Sequence, residues 1–282
     1  KIITHYSKVL EGEYVKKNKK GFFITDLFKS IINFDYYKEV INKKLSDNIG
    51  YFLKLMLLYS IILTICTIFN INQNIKQLSN FINTEITNLT YSNGTLSINN
   101  DESKTLLNKY IIIDTNNEDN TNLENKAQVV IGKKYCSIKF DDYIFRIRYN
   151  DYFYEDINKE DIIKSLSNLG IKFYMMMSLI ILVWCFVVIT ISTFLDILVI
   201  TVIGFVMSKI INRALNFTNM FNIAIHAITL SILLSAIYYV INVATGFYIK
   251  YFSIMYTSIA IIYMMTSILL ITSDNNEENN VQ

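Results

Sequence analysis

Proline is absent from this 282-residue sequence, histidine occurs twice, cysteine three times and glycine eight times. Each shortage removes a class of chemistry. With only His5 and His226, neither an HExxH motif nor a histidine metal cluster can be written. The glycines form no phosphate-binding loop of either common type, and the GxSxG elbow of a serine hydrolase is missing. Cys66, Cys136 and Cys185 stand far apart without a CxxC spacing, and two of them fall in apolar blocks. A disulfide framework and a thiolate zinc site are therefore not expected. The acidic pairs Asp101-Glu102 and Asp141-Asp142 lack the ligand spacing of an EF-hand loop. A net charge of +2 supplies no basic surface for nucleic acid. The expectation is a protein with no catalytic set, no metal and no cofactor.

What the chain has in quantity is apolar sequence, 52% of its residues, gathered in blocks between stretches rich in Asn, Asp, Lys and Tyr. A hydrocarbon core of about 30 Å takes about 20 apolar residues in a helix. Residues 51–69 match this, with Lys54 near one end where it can snorkel. Residues 171–211 carry only Lys172, Asp196 and Lys209 as charges, and one helix of that size would be about 60 Å long. Two spans with a turn at residues 192–196 are expected there, followed by spans at 221–243 and 252–272. The chain is thus read as a polytopic α-helical membrane protein of about five spans. A β-rich (α+β) domain is inserted extracytoplasmically between the first two. The divisions are 1–50, basic with interfacial amphipathic helices; 51–70, first span; 71–170, inserted domain; 171–272, four-helix bundle; and 273–282, a polar acidic tail outside.

Sidedness follows from lysine distribution. Lys16, Lys17, Lys19, Lys20, Lys29, Lys38, Lys43 and Lys44 precede the first span, and Lys76 alone follows it within twenty residues. The amino end is expected in the cytoplasm of a cell membrane. Lys209 and Arg213 disagree, because five crossings put them outside. Within 21–46, Ile24, Leu27, Phe28, Ile31 and Ile32 recur at helical spacing, as do Tyr37, Val40, Ile41 and Leu45. With Lys16, Lys17, Lys19 and Lys20 upstream they form either a lipid-contacting surface anchor or helices packed under the bundle.

In the insertion, ITNLTYS-Asn93-Gly94-TLSI predicts a hairpin, since Asn-Gly supplies the positive φ values of a type I′ turn. KYIIIDT, AQVVIG, YCSIKF and DYIFRIRY read as further strands, and Asn158 as the cap of a helix over 159–169. The order GFFITDLFKSIINFDYY, one span, NGTLSI, YIIIDT, VVIGKKYCSIKF…IFRIRY and INKEDI resembles the bacterial membrane proteins grouped as domain of unknown function 1189. Some of these are labelled maltodextrin utilization proteins. The stretch NMFNIAIHAITLSILLSAI is similar to the fourth span of the five-span Yip family. Neither resemblance brings a catalytic residue set.

Two polar side chains in apolar blocks are candidate functional groups. Asp196 reads as a cap at the expected turn or as part of an ion path, and the cap is preferred. His226 reads as a hydrogen-bonded interfacial histidine near the outer surface in preference to a pH sensor. Gly204 and Ser208, and Ser231 and Ser235, have the four-residue spacing of helix-packing faces. The expected function is a non-catalytic membrane scaffold or accessory protein of the cell envelope. Its partners would be the lipid bilayer and a membrane or envelope protein, for example a transporter, with no nucleic acid. The alternative is a small transporter or channel, or a membrane sensor. Ligand, pathway and oligomeric state are not legible.

Overall fold

The computed structural model describes residues 23–98, 103–106, 110–117, 120–211 and 215–279, with side chains to residue 271. The basic residues Lys16, Lys17, Lys19 and Lys20, and Arg213, lie outside the described residues. The chain divides into two units, one comprising residues up to Thr67 with those from Ser178 onward, the other Ile68–Met177.

The first unit begins with α1, Phe23–Ile32, and the short α2, Tyr36–Val40. In α1 the apolar periodicity splits between two faces. Leu27 is buried while Ile24, Phe28 and Ile32, one turn apart, are exposed. An inward packing face and an outward apolar face thus share one helix. An Asx turn, Asp35 N–H to Asn33 Oδ1 at 3.0 Å, follows α1. Next comes α3, Leu45–Glu85, a 41-residue helix that begins in the first unit. Its apolar segment tolerates Ser60 and Thr64 because each hydroxyl donates to the carbonyl one turn back, at 2.8 and 2.7 Å.

Within Ile68–Met177 the end of α3 leads to a hairpin, β1 Leu89–Ser92 and β2 Thr95–Ile98, with Ser92 facing Thr95. Asn93 and Gly94 adopt φ values of 51° and 76°, as the Asn-Gly signal predicts. Then follow β3 Lys104–Leu106, β4 Ile111–Ile113, α4 Thr121–Glu124, β5 Val129–Ile131, β6 Tyr135–Phe140, β7 Tyr143–Arg148, β8 Ile157–Asn158 and α5 Lys159–Ser167. β8 joins the hairpin as β2-β1-β8, and the others form β3-β4-β5-β6-β7, with β4 and β5 parallel. Asn158 and Asp161 make a reciprocal capping box at the start of α5. Two small cores lie on the two faces of the larger sheet. On one, Ile113, Ile111 and Ile131 meet Ile82 and Ile86 from the end of α3 and Ile162 and Leu166 from α5. On the other, Ile112 and Val130 meet Leu123 and Ala127.

The chain returns through α6, Ile171–Ile210, to α7, Phe217–Ala227, α8, Thr229–Thr245, and α9, Phe252–Asn279. The turn expected at residues 192–196 is not there: α6 is one helix of 40 residues. The composition explains this, since the chain has no proline and no glycine stands between Gly170 and Gly204. Isolated hydroxyls do not break a helix when they bond back onto it, as Thr201 does to the Ile197 carbonyl at 2.7 Å. Four stretches are long and apolar enough to cross a membrane among the described residues: Leu45–Glu85, Ile171–Ile210, Phe217–Thr245 and Phe252–Ile271. The last two join α7 to α8 and cover the apolar part of α9. The five-span expectation is corrected to four such helices. The polar acidic tail, expected to be disordered, continues α9 as far as Asn279.

The first unit has one core. In α7 every residue from Met220 to Ala227 is buried, against Leu55 and Met56 of α3, Ile197 and Ile200 of α6, and Ala260 and Met264 of α9. By contrast α6 exposes Leu179, Val183, Trp184, Val187, Leu195, Val199, Val202 and Val206. A helix apolar all round and uncovered on this scale is stable in hydrocarbon and not in water. The protein spans a membrane.

Candidate functional site

His226 is fully buried near the end of α7, and its surroundings come from the amino-terminal helices. Its Nδ1 is 2.7 Å from Ser30 Oγ on α1, and its Nε2 is 3.1 Å from Asn48 Oδ1 in the first turn of α3. Tyr51 stacks on the imidazole at a centroid distance of 4.2 Å, and Tyr36 meets it edge-on at 5.5 Å. Tyr37 donates to the Ser30 carbonyl at 2.8 Å, and Tyr51 shares a 2.9 Å bond with Thr229. Lys43 donates to Asp26 Oδ2 at 3.2 Å and to the Tyr36 hydroxyl. The phenols of Tyr36 and Tyr37 are pushed up by burial, and that of Tyr36 also by the Asp26 carboxylate, so both stay protonated donors.

Hydrogen accounting fixes part of this network. The single hydrogen of Ser30 Oγ goes to the Asp26 carbonyl at 2.7 Å, so Nδ1 of His226 is the donor to Ser30 Oγ. A neutral ring then presents an acceptor at Nε2, which takes a hydrogen from the Asn48 amide; a charged ring donates to its oxygen. In either orientation one half of the Asn48 amide is used and the other has no partner among the described residues. Asn48 is 1% exposed, and stranding such a group costs about 1–3 kcal/mol. Beside it lies a cavity of about 390 Å³ lined by Phe23, Asp26, Lys43, Ser46, Asp47, Asn48, Gly50, Tyr51, Lys54 and His226.

His226 was expected near the outer surface, away from the amino-terminal helices. Its bonds to Ser30 and Asn48 correct that: it sits at their end of the bundle. The error came from the extra turn in α6, which inverted every later helix. Asp196 is not at a helix cap; it lies half-buried well inside α6, Ile171–Ile210. The structure does not bring Asp196 into the His226 cluster. Gly204 faces Met264 of α9, Ser208 is buried and bonds back to the Phe205 carbonyl at 2.8 Å, and Ser231 donates to the Tyr256 carbonyl of α9 at 2.8 Å. Ser235 is buried on the same face of α8 as Ser231. Ser30, Asn48 and Tyr36 were missed. The signal available was two polar residues, Ser30 and Asn48, interrupting apolar stripes one helix apart.

The second unit carries a different feature. Cross-strand pairing puts Phe140 with Tyr143, Ile138 with Phe145 and Cys136 with Ile147 on one face of the larger sheet. All six residues of β7 are exposed, Phe145 at 59%. On the opposite face of the same two strands, buried Glu124 of α4 accepts from Ser137 Oγ and receives Arg146 bidentately at 2.8 and 2.8 Å. The Arg146 bonds, with that of Ser137, hold the Glu124 carboxyl below the usual range against the cost of burial. No group of His, Cys, Asp and Glu able to hold a metal occurs among the described residues.

A family described as "Protein of unknown function (DUF1189)" matches residues 24–268. No curated protein and no solved structure matches.

Proposed function

We propose that this chain, which belongs to the DUF1189 family, is a non-catalytic membrane scaffold whose inserted domain docks a protein of the cell envelope. The observation that carries this reading is the apolar overhang of β6 and β7, with Phe140, Tyr143 and Phe145 exposed beside an edge strand that has one strand neighbour among the described residues. Such an edge offers unpaired backbone groups together with apolar side chains, the combination used when a partner's extended segment adds a strand. The apolar helices anchor the chain in the bilayer. The reading takes four crossings, which agrees with the positive-inside rule: Lys209 then shares the cytoplasmic side with the cations ahead of the first span, opposite the inserted domain. Photo-crosslinking from position 145 in intact cells tests the reading. One adduct of fixed mass, lost in Tyr143→Glu, supports docking; crosslinks to lipid alone, or none, reject it.

A second reading, a small transporter, is favoured by one observation: Asp196 stands inside an apolar helix instead of at a turn. Proteoliposome flux abolished by Asp196→Asn would replace the scaffold reading.

A further inference from the structure

We propose that the cavity between α1, the start of α3 and α7 is a binding site for a primary-ammonium phosphodiester, the zwitterionic glycerophosphoethanolamine unit. This is independent of the docking surface, which lies in the other unit. The cavity volume of about 390 Å³ falls in the range of small-molecule sites, about 300–1,000 Å³.

Three observations select the ligand chemistry. The first is charge. Asp26 and Asp47 line the cavity with Lys43 and Lys54, two acids and two bases. A site for a plain anion or a plain cation would carry a surplus of the opposite sign; a balanced lining complements a molecule bearing both charges. The second is vacancy of donors and acceptors. Lys43 has three N–H groups and uses two, on Asp26 and Tyr36. The side chains of Asp47 and Lys54 make no hydrogen bond or ion pair with a described residue. The first turn of α3, which carries Ser46 and Asp47, adds a helix amino terminus whose partial positive charge favours phosphate.

The third is the Asn48 amide, buried and half-satisfied at the cavity wall. It donates to a phosphate oxygen when His226 holds its carbonyl, and accepts from an ammonium when His226 holds its NH₂. Both partners exist in the same zwitterion. A quaternary ammonium fits less well. It needs an open aromatic face, and Tyr51 gives one face to His226 at 4.2 Å while Phe23 lies against its ring at 5.5 Å.

The test uses the full chain in nanodiscs holding equal phosphatidylethanolamine, phosphatidylcholine and phosphatidylglycerol. Lipid retained after transfer to detergent is counted by native mass spectrometry. Phosphatidylethanolamine should be enriched about tenfold over both others, ~1.4 kcal/mol. Asp47→Asn should remove the preference over phosphatidylcholine, and Lys54→Gln should lower retention of both. Both residues are exposed and unpaired, so an unchanged melting curve verifies the fold. Displacement by soluble glycerophosphoethanolamine would identify a water-soluble ligand; enrichment without displacement would identify the lipid. Equal retention of all three lipids, enrichment of phosphatidylglycerol alone, or enrichment that survives both substitutions overturns the proposal.

Discussion

At the scale of single residues, two buried polar groups in the two units invite opposite treatments. Glu124 is charged and compensated: its folded carboxyl titrates below its unfolded value because Arg146 and Ser137 bond to the ionised form. The stability it contributes is present above the unfolded value, about 4.3, and is lost as pH falls through the depressed folded one. Glu124→Gln should therefore lower the stability of the inserted domain by roughly 1.5–3 kcal/mol at neutral pH, and flatten its acid unfolding, followed by hydrogen exchange. His226 is buried and bonded on both nitrogens. His226→Leu should cost about 1–3 kcal/mol for each polar partner it strands, read as a lower melting temperature in detergent. His226→Phe should keep the Tyr51 stacking and still lose those bonds.

Among the elements, backbone conformation was the most legible from sequence and tertiary partners the least. The β1–β2 hairpin, β4 to β7 and the Asn158 cap follow from alternation and turn chemistry, because those signals are local. The three-residue β3 and four-residue α4 carry too little pattern to announce themselves. The extension of α3 to Glu85 is carried by the helical spacing of Leu78, Phe81 and Ile82, beyond the apolar run that ends near residue 69. In α6 the length argument failed because it assumed that helices end at the membrane face. Two glycines give the sharpest tests. A Cβ at Gly94 would come 1.9 Å from Asn150 Oδ1 at a φ of 76°, so Gly94→Ala should loosen the hairpin's exchange protection. At Gly204 a Cβ meets the flexible end of Met264, so Gly204→Ala is mild and Gly204→Leu should cost about 1–3 kcal/mol of bundle stability.

For the whole molecule, the change from five apolar helices to four changes parity. If all four apolar helices cross, a reporter fused to the carboxyl end should be found in the same compartment as one at the amino end, and the positive-inside reading proposed above expects that compartment to be the cytoplasm. A carboxyl-terminal reporter found outside would restore an odd number. The native thiol at Cys136 is a poor probe for the inserted domain, because it is half-buried and burial pushes it up, which slows alkylation near neutral pH. Tyr154 is 88% exposed, so Tyr154→Cys should react with an impermeant maleimide from outside intact cells and far faster than Cys136.

The bond between Ser30 and His226 joins residues 196 positions apart in the chain. At ribosomal speeds of about 5–20 residues per second, α1 waits roughly 10–40 s for its partner to be made. During that interval Leu27 and Ser30 have no α7 to cover them, whereas Ile24, Phe28 and Ile32 face outward with or without it. The inner face of α1 is therefore completed late in synthesis, and its outer face never depends on that partner.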